Sequence, residues 1–458
     1  MNLPNYFLAD LPAEAVLNPG MIAEACQTLK RNRVRFLEER TTDRIIRVLA
    51  ENARHWLESG DPFRQMALAK GPAELGCSVE TLKNGIDAFF SEMTRENLEA
   101  LVVQELGHHH RLDRPVSSPE ERETHRASLA RGPELLVHIA SGNIPAPAWM
   151  SIALGLLARS AQFMKCASNA ALLPRLYAHS LYAAEPKLGA CLEVACWPGG
   201  NRELEDALLN EADCMTATGS DETLASIRQC LPIRCRFIGY GHRVSFGYIS
   251  HKVLAHETIE GVVERAVTDV VAWNQLGCLS PHVFYVEDGR EHMGEKFSEK
   301  LAEALARREE IEPRGPIPIQ ASAAIATRRA FYEIRAAHSP ETRHWFSPES
   351  TAWSVVYEAD PQFQKSCLNR FIYVKGITDL ADALKGAELV REYISTVGLG
   401  VTEDETKDLV QQLARWGVPR ICPLGRMQRP PLGWRHDGRP PLADLITWTD
   451  WENETRIT

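Results

Sequence analysis

Basic residues are in deficit: 51 Lys and Arg face 61 Asp and Glu, a formal charge of -10. That balance excludes the basic stripe with which a nucleic-acid binder holds phosphates, though it leaves room for a local basic groove around a phosphorylated cofactor. No uninterrupted apolar run approaches the roughly 18 residues of a spanning helix, so no membrane span is expected. The opening Met1–Asp10 segment has no basic stretch followed by an apolar one, and no secretory leader is expected. The 11 cysteines lack paired CxxC spacing and any framework rhythm. Cys191/Cys196 and Cys230/Cys235 do not recur with histidines in a zinc-ligand pattern. The run His108-His109-His110 follows Gly107 and precedes a charged loop; it reads as a solvated connection, and no metal is assigned. A cytoplasmic chain with reduced, mostly buried thiols is the expectation.

What is present is an ordinary globular composition, with 44% apolar residues, on 458 residues, enough for two or three domains. Residues 1–130 read as a helical region. Within it, Thr42 to Leu57 places apolar residues at helical spacing, and Thr41 or Thr42 is a candidate cap. Pro115 to Thr124 reads as a hinge or linker. Beyond it the texture changes to short apolar strands alternating with helices. Strands are expected at Leu135–Ala140, Ala161–Cys166, Cys191–Trp197 and Asp213–Thr218, with helices between them. That alternation predicts parallel pairing through crossovers, and ligands beyond the carboxyl ends of the strands. Residues 131–241 therefore read as a doubly wound α/β nucleotide-binding domain. Residues 242–423 form a second α/β region, with helices expected at His256–Gln275, Glu291–Arg308 and Ile325–Ala337. Residues 424–458 are rich in proline and glycine and read as an extended segment ending in a strand, Leu445–Asp450.

Cys278 stands between the small-residue bend at Gly277 and Pro281, and an apolar strand-like run follows. A thiol at such a junction is held on rigid structure and can still meet a ligand. Its company singles it out: Ala140-Ser-Gly-Asn-Ile-Pro145, Cys196-Trp-Pro-Gly-Gly200, Gly239-Tyr-Gly-His-Arg-Val-Ser-Phe-Gly247 and Gly277-Cys-Leu-Ser-Pro-His-Val-Phe-Tyr-Val286 occur in that order. This ordered set resembles the aldehyde dehydrogenase superfamily. Within it, the chain is most similar to the acyl-CoA reductase family typified by the fatty-acid reductase subunit of bacterial bioluminescence.

The resemblance implies a cofactor domain, a catalytic domain and a small C-terminal oligomerisation strand, hence a homodimer or higher homo-oligomer. It implies NADPH-dependent reduction of a fatty acyl thioester to an aldehyde. The acyl group would come from fatty acyl-CoA or from an acyl-protein synthetase partner. Cys278 would be the nucleophile, since a thiolate forms a thioester whose carbonyl stays electrophilic. Asn143 would donate to the oxyanion, although a turn before Ile-Pro also suits asparagine. Lys165 would hold the adenosine ribose. Ser168 stands where NAD-preferring relatives often carry a glutamate, and this favours NADP(H). Gly219 and Ser220, opening a helix, would meet the cofactor phosphates. Gly199 and Gly200 are either a wall of the adenine pocket or a simple turn. The stretch Tyr240–Phe246 carries no acid where hydrolytic aldehyde dehydrogenases have a general-base glutamate. His242 in that stretch is either a proton relay or a structural histidine. His282 would lower the Cys278 pKa only if the strand geometry allowed it. Two rival readings stay open: a hydrolytic aldehyde dehydrogenase with its base elsewhere, such as Glu358, and a non-catalytic scaffold binding acyl-proteins.

Overall fold

The computed structural model describes residues 3–12, 14–289 and 292–452. The chain divides into two compact units: Met1–Glu74, Ile86–Gly241 and Pro431–Thr458 form the first, and Leu75–Gly85 with His242–Pro430 the second.

In the first unit the strands are β1 (Arg126–Arg131), β2 (Leu135–Ile139), β3 (Ala161–Cys166), β4 (Leu192–Cys196), β5 (Cys214–Thr218) and β6 (Arg236–Tyr240). Five of them form a wholly parallel sheet in the order β4-β3-β2-β5-β6. Helices Ala146–Leu157, Leu172–Ala184, Arg202–Glu211 and Asp221–Cys230 make the crossovers. Every residue of β3 is buried, as a parallel strand covered on both faces requires. Leu135, Val137, Phe163 and Met215 pack against Ile22, Cys26 and Leu29 of the helix Pro19–Phe36. The strand order reverses between β2 and β5, the switch point where doubly wound sheets open a crevice at their carboxyl edge.

The N-terminal region is helical, and Thr41 rather than Thr42 caps the helix Thr42–Leu57, accepting from the Arg44 N–H. Thr42 is instead buried and donates to Asp113. The segment expected to be a linker is ordered. Val116 bridges to Ser128, and Ser118 and Glu121 close a capping box on the short helix Pro119–Glu123. Glu121 also meets the Arg111 guanidinium at 2.8 Å. The segment read as a hinge or linker is organised by a buried arginine.

In the second unit the strands are β7 (Val244–Ile249), β8 (Pro281–Glu287), β9 (Thr342–Phe346), β10 (Ser354–Glu358), β11 (Phe371–Ile377), β12 (Ile394–Gly400) and β13 (Arg420–Pro423). They form one sheet in the order β13-β12-β7-β8-β11-β10-β9, parallel except for β9. Along β8, Phe284 and Val286 enter the core on one face and Val283 and Tyr285 that on the other. The expected helix His256–Gln275 is broken: His251–His256 ends, and Thr258 caps a new helix, Ile259–Val271. Two other helices run Met293–Ile311 and Ile319–His338; the expected start at Glu291 lies outside the described residues. The last strand, β14 (Thr447–Glu452), pairs antiparallel with β1 in the first unit.

Candidate active site

The cofactor candidates lie at the carboxyl edge of the first unit's sheet. Asn143 follows β2 on an exposed loop, and its amide bonds to no side chain or backbone group among the described residues. Lys165, the penultimate residue of β3, is buried, with Nζ 5.7 Å from the centre of the Trp197 ring. Ser168 is exposed on the loop after β3. Gly199 and Gly200 form an exposed turn after β4, where a Cβ would meet nothing within 4 Å. Gly200 has φ +90° and its N–H donates to Glu205 at 2.9 Å, so the turn itself calls for glycine there. Gly219 donates to the Tyr240 carbonyl, and Ser220 caps the helix Asp221–Cys230 by accepting from the Thr223 N–H. The carboxylate of Asp221 faces Gly241.

These residues fit a dinucleotide. Three successive strand ends, those of β3, β4 and β5, carry a buried lysine with an exposed hydroxyl, an open glycine turn and a helix start. The Trp197 indole N–H is buried at the same edge with no partner among the described residues.

In the second unit, Cys278 is half-buried in a tight turn closed by the Ser280 N–H donating to the Gly277 carbonyl at 2.9 Å. The Ser245 hydroxyl donates to the Cys278 carbonyl at 2.8 Å. The approach to the turn is strained. Trp273, Asn274 and Gln275 all adopt left-handed backbone, with φ 52°, 51° and 67°, a region that disfavours L-residues, asparagine less than Trp or Gln. Buried side-chain bonds hold them there. Asn274 donates to the Arg314 carbonyl and accepts from Arg370, while Gln275 donates to the Pro281 and Phe371 carbonyls. Gln428 closes the other side, its amide donating to the Ser280 hydroxyl. The composition of residues 424–458 gave an extended segment; that Gln428 seats against the nucleophile candidate was not legible there.

His282 does not supply a positive charge to Cys278. Its Nδ1 accepts from the Ser366 N–H at 3.0 Å, and burial, with the nearby His242 and Lys365, pushes its pKa down to about 4. His242 is exposed at the entry to β7, its ring 6.3 Å from that of Tyr393. Glu358 is no free base. It is buried and bound by Lys375 at 2.6 Å and Arg335 at 3.1 Å. It also aligns through Lys375 with Tyr285, four residues along β8 from Pro281, roughly 13 Å at strand rise.

The histidine run departs from the solvated connection expected of it. His109 meets Asp43 at 2.9 Å and His110 meets Asp113 at 2.8 Å. Donor atoms of Asp43, His109 and His110 gather within 4.8 Å, with Arg95 also at 3.8 Å from Asp43.

The family model described as Acyl-CoA reductase (LuxC) matches residues 37–448. The chain belongs to that family. It is thus an oxidoreductase that reduces an acyl thioester to an aldehyde. Two curated proteins named long-chain acyl-protein thioester reductase, from Photorhabdus laumondii subsp. laumondii and Photorhabdus luminescens, are each 23% identical over 80% of this chain and 72% of their own. Among solved structures, a bifunctional proline utilization A protein superposes with a TM-score of 0.71 at 19% identity. That match covers 96% of this chain but 46% of the other, so the chain spans less than half the length of that protein. An aldehyde dehydrogenase from Anabaena variabilis covers both chains nearly fully, 96% and 95%, with a TM-score of 0.69 at 15% identity. At these identities the likeness establishes the fold, an aldehyde-dehydrogenase-like α/β architecture with a nicotinamide-dinucleotide-type domain. Among the described residues of this reductase, no helix is long and apolar enough to cross a membrane.

Proposed function

We propose that the reductase converts a fatty acyl thioester, fatty acyl-CoA or acyl-protein, to the fatty aldehyde through an acyl-Cys278 intermediate, with NADPH as reductant. The observation that carries this reading is Cys278 itself, a half-buried thiol on a turn fixed from both sides in a chain of this family. The Cys278 thiolate adds to the acyl carbonyl, and the tetrahedral oxyanion collapses with release of the donor thiolate, which takes up a proton. Asn143, whose amide has no bond among the described residues, donates to the oxyanion. Bound NADPH supplies the hydride. Cys278 then holds a thiohemiacetal, whose C–S bond breaks to release aldehyde and regenerate the thiolate. His242, exposed in the acid-free stretch, serves as the proton relay.

Lys165, Ser168, Gly199, Gly200, Gly219 and Ser220 hold the cofactor, with residues 131–241 as the cofactor domain and 242–423 as the catalytic domain. An exposed hydroxyl at Ser168, with no carboxylate to repel a 2′-phosphate, favours NADPH. The two Photorhabdus relatives support an acyl-protein donor by their name. The β1–β14 ribbon exposes Trp448 and Trp451, which suits a contact between copies of this chain and hence a homo-oligomer. Eleven cysteines without a disulfide suit the cytoplasm.

The test is intact-protein mass spectrometry after incubation with long-chain acyl-CoA or an acylated synthetase, followed by NADPH. An adduct absent from Cys278→Ser and discharged as aldehyde is expected. If neither donor leaves an adduct on the wild-type protein, the acyl-cysteine pathway is wrong.

A further inference from the structure

A row of buried polar side chains crosses the second sheet beneath the nucleophile turn, and no role in the reaction has been given to it. Arg420 on β13 is paired in register with Thr396 on β12, Thr396 with Ser245 on β7, and Ser245 with Pro281 on β8. All three side chains at this level are buried. They are linked: the Arg420 guanidinium donates to Thr396 Oγ1 at 3.4 Å, the Thr396 N–H donates to Ser245 Oγ at 3.1 Å, and Ser245 donates to the Cys278 carbonyl. A parallel sheet buried on both faces normally fills such a level with aliphatic residues. A guanidinium there has to be retained against a substantial desolvation penalty.

Arg420 also builds the loop that braces the turn. It donates to the Met427 carbonyl at 2.6 Å and the Arg426 carbonyl at 2.9 Å. Buried Asp269 holds the same loop by accepting from the Gly425 and Met427 N–H groups at 2.6 and 2.9 Å. The loop places Gln428 against Gly277 and Ser280, the residues flanking Cys278 and Leu279.

Resting on the reading of Cys278 as nucleophile, we propose that Arg420 is its positioning residue: one buried cation orients the Cys278 turn and supplies the field in which the thiolate forms. Charged and titratable groups reach this region from several elements. β13 offers Arg420 and Cys422, the helix Ile259–Val271 offers Asp269, the loop after β13 offers Arg429, β8 offers His282, the entry to β7 offers His242, and the segment before β11 offers Lys365. His282 is neutral near pH 7, its pKa being about 4. Asp269, which burial pushes up to about 7, opposes thiolate formation when ionised. Arg420 and Cys278 act on each other electrostatically, the thiolate stabilising the guanidinium's charge. A nearby guanidinium is the kind of group that makes a thiol reactive.

The experiment follows alkylation of Cys278 by iodoacetamide as a function of pH, with the site read by peptide mass mapping, so acyl transfer is not needed for the readout. Arg420→Gln and Arg420→Lys are compared with wild type, each checked for native near-ultraviolet circular dichroism. Loss of the cation is expected to raise the alkylation midpoint by about one pH unit in Arg420→Gln, a tenfold loss of thiolate below both midpoints. Arg420→Lys, which keeps the charge and loses the planar fork, should hold its midpoint near wild type while acylation slows. If Arg420→Gln does not fold, Thr396→Val replaces it; cutting the link from Arg420 without removing the charge should slow acylation at an unchanged midpoint. Folded Arg420→Gln with a wild-type midpoint would overturn the proposal, as would Thr396→Val acylating at the wild-type rate. Failure of Cys278 to take an acyl group in the wild-type protein would instead remove the catalytic reading and leave the midpoint shift standing.

Discussion

Replacing Gly277 with alanine tests whether the brace on the nucleophile turn is tight. Gly277 does not have a positive φ, so alanine brings no backbone penalty there. Its Cβ, however, would lie 2.5 Å from Gln428 Nε2, 2.9 Å from Oε1 and 3.1 Å from Cδ. Ordinary contact lies near ~3.5–4 Å, so the amide has to retreat by roughly 1 Å. That amide donates to Ser280, and the bond breaks. The lost bond contributes about 1 kcal/mol net, and forcing a methyl into a filled site adds about 1–3 kcal/mol. A total of about 2–4 kcal/mol leaves a domain of ordinary stability folded. The larger effect is geometric, because a displacement of about 1 Å at a reacting group can cost ~100-fold in rate. Single-turnover acylation of Cys278, measured beside Tm, should fall ~100-fold in Gly277→Ala. Gln428→Ala in the same chain removes the clashing atoms and the brace together, so the double variant should match Gln428→Ala alone, a coupling read from the double-mutant cycle. Wild-type acylation in Gly277→Ala, or a double variant slower than Gln428→Ala alone, would refute the reasoning.

Asn143→Ala should slow acylation by about 100-fold, the usual effect of losing one oxyanion donor, with Tm unchanged because the side chain is exposed and bonds to nothing among the described residues. Ser168→Glu places a carboxylate where a 2′-phosphate would sit, and should lower kcat/KM with NADPH at least tenfold while sparing NADH. Glu121 carries a pH signature. Burial raises its pKa, but bonds from the Ser118 N–H, Arg111 and Ser128 outweigh this and hold it at about 2 against the usual 4.5. The folded pKa is depressed, so this stability is complete above about 4.5 and is lost as pH falls toward 2. Urea unfolding at stepped pH should show a slope in that window that Glu121→Gln flattens. Equal slopes in both proteins would remove Glu121 as its source.

The parallel core was legible because its strands announce themselves locally. Ala161–Cys166, a short run bounded by turns, is a strand with the expected ends. Cys278 stands out as the candidate nucleophile through its neighbours in sequence. What surrounds it was not legible there, since its supports come from far along the chain: Ser245, Gln428, and the Phe371 carbonyl that accepts from Gln275. The left-handed triplet at Trp273–Gln275 shows why. Nothing in Trp-Asn-Gln calls for positive φ, and those residues read as the end of a helix. Buried bonds to Arg314, Arg370 and Pro281 select the strained form instead. The break at Thr258 has a local signal, a capping threonine ahead of an amphipathic run. The segment Pro115 to Thr124 differs the other way, because a charged, proline-bearing stretch reads as a linker until its buried partner Arg111 is known.

The acyl-enzyme's lifetime links the sequence to the proposed chemistry. A thioester on Cys278 survives only if no carboxylate activates water beside it. The stretch Tyr240–Phe246 offers none. Glu358, the acid a hydrolytic enzyme of this chain would have to recruit, is held by Lys375 and Arg335 and sits farther along the sheet. Asp269, on the Cys278 side, spends its oxygens on the Gly425 and Met427 N–H groups. Freeing either carboxylate would leave buried donors or cations without a partner, at a cost of several kcal/mol. A chain so arranged commits its acids to holding structure and leaves the intermediate to a hydride or a thiol. Reduction then follows from where the carboxylates are held, and a single substitution bringing an acid into the Tyr240–Phe246 stretch should be enough to let hydrolysis compete.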